Sequence, residues 1–228
     1  RTYNLSPSAL AKKLEQAELN GALPKVVIPV HLCGQACDMQ DIYELGQRYG
    51  FKIIEDASHA IGASYYDELI GSCRYSDITV FSFHPVKIIT TGEGGVLIAP
   101  ESWIKEIRKW SNFGFYGNRI ATVDATNAKM SEYQAAIGLA SLDEWDENRT
   151  SWLNVIGKLR NSLLDIGISS QPALRDGYVT STVVAELPDP AVKDLSLKIF
   201  EKNKIESRDW WGAGVHRMPR FADSPTIG

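Results

Sequence analysis

One lysine in this sequence stands where an amine could do chemistry. Lys87 closes Ser82-Phe83-His84-Pro85-Val86-Lys87, at the end of an apolar run. Enclosure in such surroundings penalises the ammonium form, lowers the pKa and leaves a useful fraction as free amine. A free amine attacks an aldehyde to give a Schiff base. A solvated loop is the commoner fate of any single lysine, so Lys87 alone decides nothing. A second feature, Glu55-Asp56-Ala57-Ser58-His59-Ala60, also follows an apolar run. Asp56 there suits a helix cap as well as a cleft, where a buried carboxylate needs a cationic partner to stay ionised. Thr90-Thr91-Gly92-Glu93-Gly94-Gly95 could bring backbone close to a ligand, and a plain connecting turn explains it as well. No Gly-Lys-Ser/Thr follows, so it is no P-loop. Asn127-Ala128-Lys129-Met130 carries no signal by itself.

The elements that would position these residues alternate between two rhythms. Val26 to Val30, Phe51 to Ile54 (ending at Glu55-Asp56), Ile78 to Phe83 and Gly95 to Ile98 read as buried strands. Between the first two, Met39, Ile42, Leu45 and Tyr49 recur at close to helical spacing, with Asp38 as N-cap and Gly50 as stop. Strand–helix–strand order with continuous apolar strands predicts an α/β fold, a mostly parallel sheet covered on both faces. Ligands in such sheets sit beyond the carboxyl ends of the strands, which is where Asp56 and Lys87 fall. Further helices are expected up to Leu19, from a cap at Ser102 through Trp110, from a Ser131-x-x-Gln134 capping box, and from Trp152 to Leu164. The stripe Met130, Tyr133, Ile137, Ala140 and Trp145 reads as core packing. Beyond it, Tyr178 to Leu187 is strand-like and Val192 to Lys202 helical. A boundary near 148–152 would divide a large domain, 1–150, from a smaller α+β region, 151–228.

Bulk composition removes other classes. The 228 residues carry a formal net charge of −4 and are 44% hydrophobic. That balance offers no electrostatic footprint for nucleic acid or an acidic membrane face. No apolar stretch reaches the length of a membrane span, and the opening residues show no signal-peptide core. The three cysteines, Cys33, Cys37 and Cys73, are an odd set with no second Cys or His pair to complete a zinc site. They point to a reducing compartment, by default the cytoplasm, and to no metal. A nicotinamide-binding fold lacks its Gly-x-Gly-x-x-Gly after the first strand.

Taken together, Glu55-Asp-Ala-Ser-His-Ala60, Ser82-Phe-His-Pro-Val-Lys87, Gly92-Glu-Gly-Gly95 and Asn127-x-Lys-Met-Ser closely resemble the DegT/DnrJ/EryC1/StrS family of sugar aminotransferases, fold-type I enzymes dependent on pyridoxal 5′-phosphate (PLP). The spacings agree: Lys87 follows Asp56 by 31 residues and Asn127 follows Lys87 by 40. The resemblance implies a three-layer large domain, the cofactor PLP and a homodimer with a shared site. It makes Lys87 the catalytic Schiff-base lysine and proton shuttle. Asp56 would pair with the ring nitrogen, Ser58 pack on the ring, His59 stand by its phenolic oxygen and Ser82 donate to the phosphate. Asn127 would reach the phosphate bound by the neighbouring subunit. His84 and His31 would lie near cofactor or sugar, although His31 suits a structural role equally. Related dehydratases carry histidine at the lysine position, so Lys87 favours transamination, with glutamate as donor and a nucleotide-linked keto sugar as acceptor.

The same resemblance implies an internal portion of a longer enzyme. A Gly-Thr/Ser-x-Ala-like phosphate-binding turn and a ring-stacking aromatic residue are expected upstream of Asp56, and neither occurs there; residues 1–25 resemble the stretch that follows them. An inactive remnant serving only binding or oligomerisation is therefore the competing reading. Up to Ile98 the sequence is most similar to transaminases acting on a UDP-linked 4-keto sugar, and from Asn112-Phe113-Gly114 onward to the dTDP-4-amino-4,6-dideoxyglucose-forming branch. Amination at C4 is expected.

Overall fold

The computed structural model describes residues 2–170, 178–210, 214 and 217–221. Helix α1 (Pro7–Leu19) begins where Ser6 accepts the Ala9 N–H, with Pro7 in the first turn, where its missing N–H costs nothing. Strand β1 (Val26–Val27) is shorter than the apolar run predicts. Pro29 has no N–H to give the ladder, and pairing resumes only as a bridge from Val30 to Asp56. Helix α2 (Met39–Tyr49) starts after Asp38, whose side chain makes no cap bond, and stops at Gly50 in the left-handed conformation, φ 77°. Its face of Met39, Ile42, Gly46 and Tyr49 is buried, on the period of 3–4 that the sequence shows.

Strand β2 (Lys52–Asp56) lies parallel to β1, and a small hairpin, β3 (Ser64–Tyr65) with β4 (Glu68–Leu69), follows it. Strand β5 (Ile78–Ser82) pairs parallel to β2, with Asp56 opposite Val80, and β6 (Gly95–Ile98) pairs antiparallel to β5, with Ser82 opposite Gly95. The sheet order is β1-β2-β5-β6, mixed and mostly parallel as expected. The carboxyl ends of β2 and β5 point the same way, which puts Asp56 and the chain leading to Lys87 at one end of the sheet. Leu14, Met39, Ile42, Phe51, Ile53, Tyr65 and Phe81 pack into one buried cluster.

Cover on the sheet is less complete than a three-layer expectation requires. Val96, Leu97 and Ile98 of β6 remain 40%, 39% and 37% exposed, and Val26, Ile28 and Val30 are exposed as well.

Helix α3 (Glu101–Trp110) is capped at Pro100, so Ser102 lies within its first turn instead of starting it. Helix α4 (Glu132–Asp143) does open on the Ser131–Gln134 capping box. Its stripe is not core: Tyr133 is 86% exposed, and Met130 and Ile137 are exposed too. The one buried residue of α4 is Gly138, and the helix docks instead through small and polar groups. Helix α5 (Trp145–Asp165) runs unbroken through the boundary expected near 148–152, so a helix joins the two regions. Strand pairing expected from Tyr178 to Leu187 reduces to β8 (Ala185–Glu186) against β7 (Ser169–Ser170), and α6 (Pro190–Lys202), capped by Asp189, follows.

Candidate active site

Asp56 is the last residue of β2, and backbone bonds on both sides fix its place. Its N–H donates to the Pro29 carbonyl at 2.9 Å, its carbonyl accepts from His31 N at 3.0 Å, and Ala57 N donates to Val80 O at 2.9 Å. The Asp56 carboxylate then accepts the Ser58 N–H at 3.1 Å, turning the chain at the strand end. A partly exposed carboxylate held this way terminates a strand at the carboxyl end of the sheet and caps no helix.

Lys87 lies on the loop between β5 and β6, whose base is closed by hydrogen bonds. Phe83 N donates to Gly94 O at 2.8 Å, and Thr91 N and Thr90 Oγ1 both donate to Phe83 O at 3.1 Å. Helix α4 braces the loop from outside. Ser141 Oγ accepts the Thr90 N–H at 3.3 Å, Gln134 Nε2 donates to Glu93 O at 2.7 Å, and Gly138 lets the helix approach Thr91. A single turn, Lys87 N to His84 O at 2.9 Å, orients the lysine within it. Ser82 Oγ accepts from His84 N at 3.3 Å, which leaves its hydroxyl proton free to donate. His84 itself is half exposed, with Nε2 3.6 Å from a Glu93 carboxylate oxygen.

Electrostatics ties the loop to the strand end. Burial lowers the Lys87 pKa below the ordinary lysine value, while the Asp56 charge and Cys33 act against that shift. His59 is also held below the usual histidine value, first by burial and then by the charge of Lys87, with Asp56 opposing. Its Nδ1 accepts the Cys33 N–H at 3.3 Å, so the ring is neutral with its proton on Nε2. Burial pushes the Cys33 thiol up to about 11, with Lys87 pulling the other way. Asp56, His59, Lys87 and Cys33 thus share one field, in which burial moves the Lys87 amine toward its neutral form and the Asp56 charge opposes that.

Two walls come from later in the chain. Val179 is fully buried, and its carbonyl lies against Gly34; Ser181 Oγ donates to Val86 O at 3.1 Å, beside Lys87. The Trp210 ring stands 6.0 Å from that of His59. Sequence reading missed Cys33, Val179, Ser181 and Trp210, since nothing local in the chain announces a contact made across such separations.

Of the residues singled out, Asp56, Ser58, His59, Ser82 and Lys87 gather at the ends of β2 and β5. His31 does not join them as a ligand contact: its ring is 0% exposed, with Nε2 on Glu55 at 2.8 Å and Nδ1 accepting Cys37 N at 3.1 Å. Asn127 is exposed and bridged through its backbone to Asn112, while Lys129 bonds the Asn112 side chain and lies 4.8 Å over the Phe113 ring. Among the described residues no cluster of His, Cys, Asp and Glu could hold a metal, and no helix is long and apolar enough to cross a membrane.

Comparison with known proteins gives a consistent picture. A model described as the DegT/DnrJ/EryC1/StrS aminotransferase family matches residues 1–227. GDP-perosamine synthase of Caulobacter vibrioides is 34% identical over 234 residues, 99% of this chain and 61% of that protein. The dTDP-4-amino-4,6-dideoxy-D-glucose transaminase of Shigella dysenteriae is 37% identical over 147 residues, 64% of this chain and 40% of that protein. Among solved structures, DesI in the presence of its TDP-sugar product superposes with a TM-score of 0.83 at 27% identity, over 100% of this chain and 57% of that one. The chain therefore spans about three fifths of the length of the relatives matched end to end.

Proposed function

The chain belongs to the DegT/DnrJ/EryC1/StrS aminotransferase family, and from that premise we propose that it supplies the reactive lysine of a PLP-dependent transaminase. The reaction would move an amino group from glutamate to a keto carbon, C4, of a UDP- or dTDP-linked 6-deoxyhexose. The supporting observation is Lys87: an amine with a lowered pKa, on a loop anchored at both ends, within electrostatic reach of Asp56.

The residues present fit the cofactor's chemistry. An aldehyde needs an amine that gives up its proton, and burial moves Lys87 in that direction. A pyridinium nitrogen needs a fixed carboxylate, which Asp56 provides at the end of β2. A phosphate needs donors, and the Ser82 hydroxyl has a free proton. When bound, PLP supplies an electron sink for the carbon that gains or loses a proton. Lys87 would take that proton and return it, and burial, which lowers its pKa, favours the neutral amine that can do so. His59, neutral and with its proton on Nε2, offers one donor beside that centre without adding positive charge. Ser58 would border the ring. Asn127, exposed and outside this cluster, suits a contact to the site of a second subunit in a homodimer. His84 would face the sugar.

Supplying the full-length protein with PLP and glutamate tests this reading. Loss of the visible absorbance of bound PLP with stoichiometric release of 2-oxoglutarate is expected, and Lys87→Ala should abolish both. Release of 2-oxoglutarate that survives Lys87→Ala would overturn it.

A further inference from the structure

Behind the strand end that carries Asp56 lies a buried polar cluster that the proposed chemistry leaves unused. Glu55 is 4% exposed and His31 is 0% exposed. One Glu55 oxygen accepts from His31 Nε2 at 2.8 Å, and the other accepts from the Ser76 hydroxyl and from Thr79 Oγ1 at 3.2 Å. His31 Nδ1 accepts the Cys37 N–H, so the ring proton that Glu55 accepts sits on Nε2. Burial alone would raise the Glu55 pKa, but the bonds from His31 and Ser76, the electrostatic pull of His31 and the bond from Thr79 outweigh it and hold the carboxyl below its ordinary value.

The cluster ties three strand ends together. His31 follows the bridge that ends β1, Glu55 belongs to β2, and Ser76 and Thr79 flank the start of β5. Successive side chains of a strand point to opposite faces, so Glu55 anchors β2 from the side away from Asp56, one residue earlier. A buried ion of this kind is weak evidence for stability, because apolar residues of similar volume would hold the strands at least as well. Apolar contact tolerates slippage; three donors converging on one carboxylate do not. We propose that Glu55 and His31 are positioning residues for Asp56: they lock the register of β1, β2 and β5, so that the Asp56 carboxylate meets the cofactor nitrogen at one fixed place. The inference rests on the cofactor reading above, and neither residue touches the cofactor.

The test uses the full-length protein and the variants Glu55→Gln, Ser76→Ala and Asp56→Asn. PLP affinity is measured by equilibrium dialysis, and the pH midpoint of the bound PLP absorbance by titration, beside the melting temperature of the PLP-free protein. Glu55→Gln should weaken PLP binding on the order of tenfold, as loss of an outer partner does at metal sites, and move the midpoint in the direction that Asp56→Asn moves it. Ser76→Ala, which removes one neutral donor, should move it the same way by less. Midpoints that stay at the wild-type value in both variants, whatever happens to melting, would overturn the proposal and leave the cluster a purely structural one. If Glu55→Gln does not fold, Ser76→Ala decides alone. If Asp56→Asn changes neither affinity nor midpoint, the cofactor reading itself fails; if Asp56→Asn shifts them and the other two do not, only this inference fails.

Discussion

Replacing Gly34 by alanine should cost more than any other single methyl group added near the site. Gly34 has φ 80°, in the left-handed region, where an L side chain costs roughly 1–2 kcal/mol. Its new Cβ would also overlap the Val179 carbonyl oxygen, stand 2.8 Å from that carbonyl carbon and 3.0 Å from the His59 carbonyl oxygen. All three atoms are backbone, so no rotamer change relieves the clash, and overpacking of this kind adds roughly 1–3 kcal/mol. Gly50 is the control: its φ is 77°, and a methyl group added there meets nothing within 4 Å. Gly50→Ala therefore carries only the backbone cost. Urea melts of the two PLP-free variants should differ by about 1–3 kcal/mol, with Gly34→Ala the weaker. Because Val179 walls the site and Ser181 holds the backbone beside Lys87, PLP affinity should fall in Gly34→Ala and not in Gly50→Ala. Equal destabilisation of the two variants would refute the close approach of Val179 to Gly34.

Other outcomes follow from the charges of the site. The Lys87 pKa is lowered by burial, so its ammonium form is less stable in the folded chain than in the unfolded one. The PLP-free Lys87→Met protein should then melt no lower than wild type at neutral pH, and the wild type should close the gap as pH rises toward the ordinary lysine value of 10.5; a large loss of stability at neutral pH would contradict this. Cys33, with its thiol pushed up to about 11, should react with iodoacetamide only at strongly alkaline pH in the folded protein and near pH 9 when denatured, as followed by peptide mass mapping. Ser141→Ala removes the acceptor for Thr90 N and should loosen the Lys87 loop, raising amide exchange at residues 83–94 while leaving the core of β2 protected.

The sequence made some of this architecture readable because the signals are local. The apolar runs of β2 and β5 need no knowledge of their neighbours, and a strand followed by Asp56 or by Lys87 already implies the ligand-binding end of a sheet. The Ser131–Gln134 capping box is likewise complete within four residues. His31 was ambiguous for the opposite reason: its fate depends on Glu55, 24 residues later, and on a backbone N–H at Cys37. Pro29 shortened β1 by removing one donor, a local effect that the apolar character of its neighbours concealed. The stripe on α4 has helical spacing and yet stays exposed, since that helix meets the rest of the chain through Gly138, Gln134 and Ser141. Val179, Ser181 and Trp210 reach the site from beyond α5, and no pattern within residues 178–210 foretells which of them turn back.

The most direct test of the account is to find where PLP attaches. The full-length protein is incubated with PLP, treated with borohydride to make the linkage permanent, digested, and its peptides are mapped by mass spectrometry. The account predicts stoichiometric modification at Lys87, lost in Lys87→Ala and weakened in Asp56→Asn. Modification spread over surface lysines, or concentrated on a lysine other than Lys87, would contradict it.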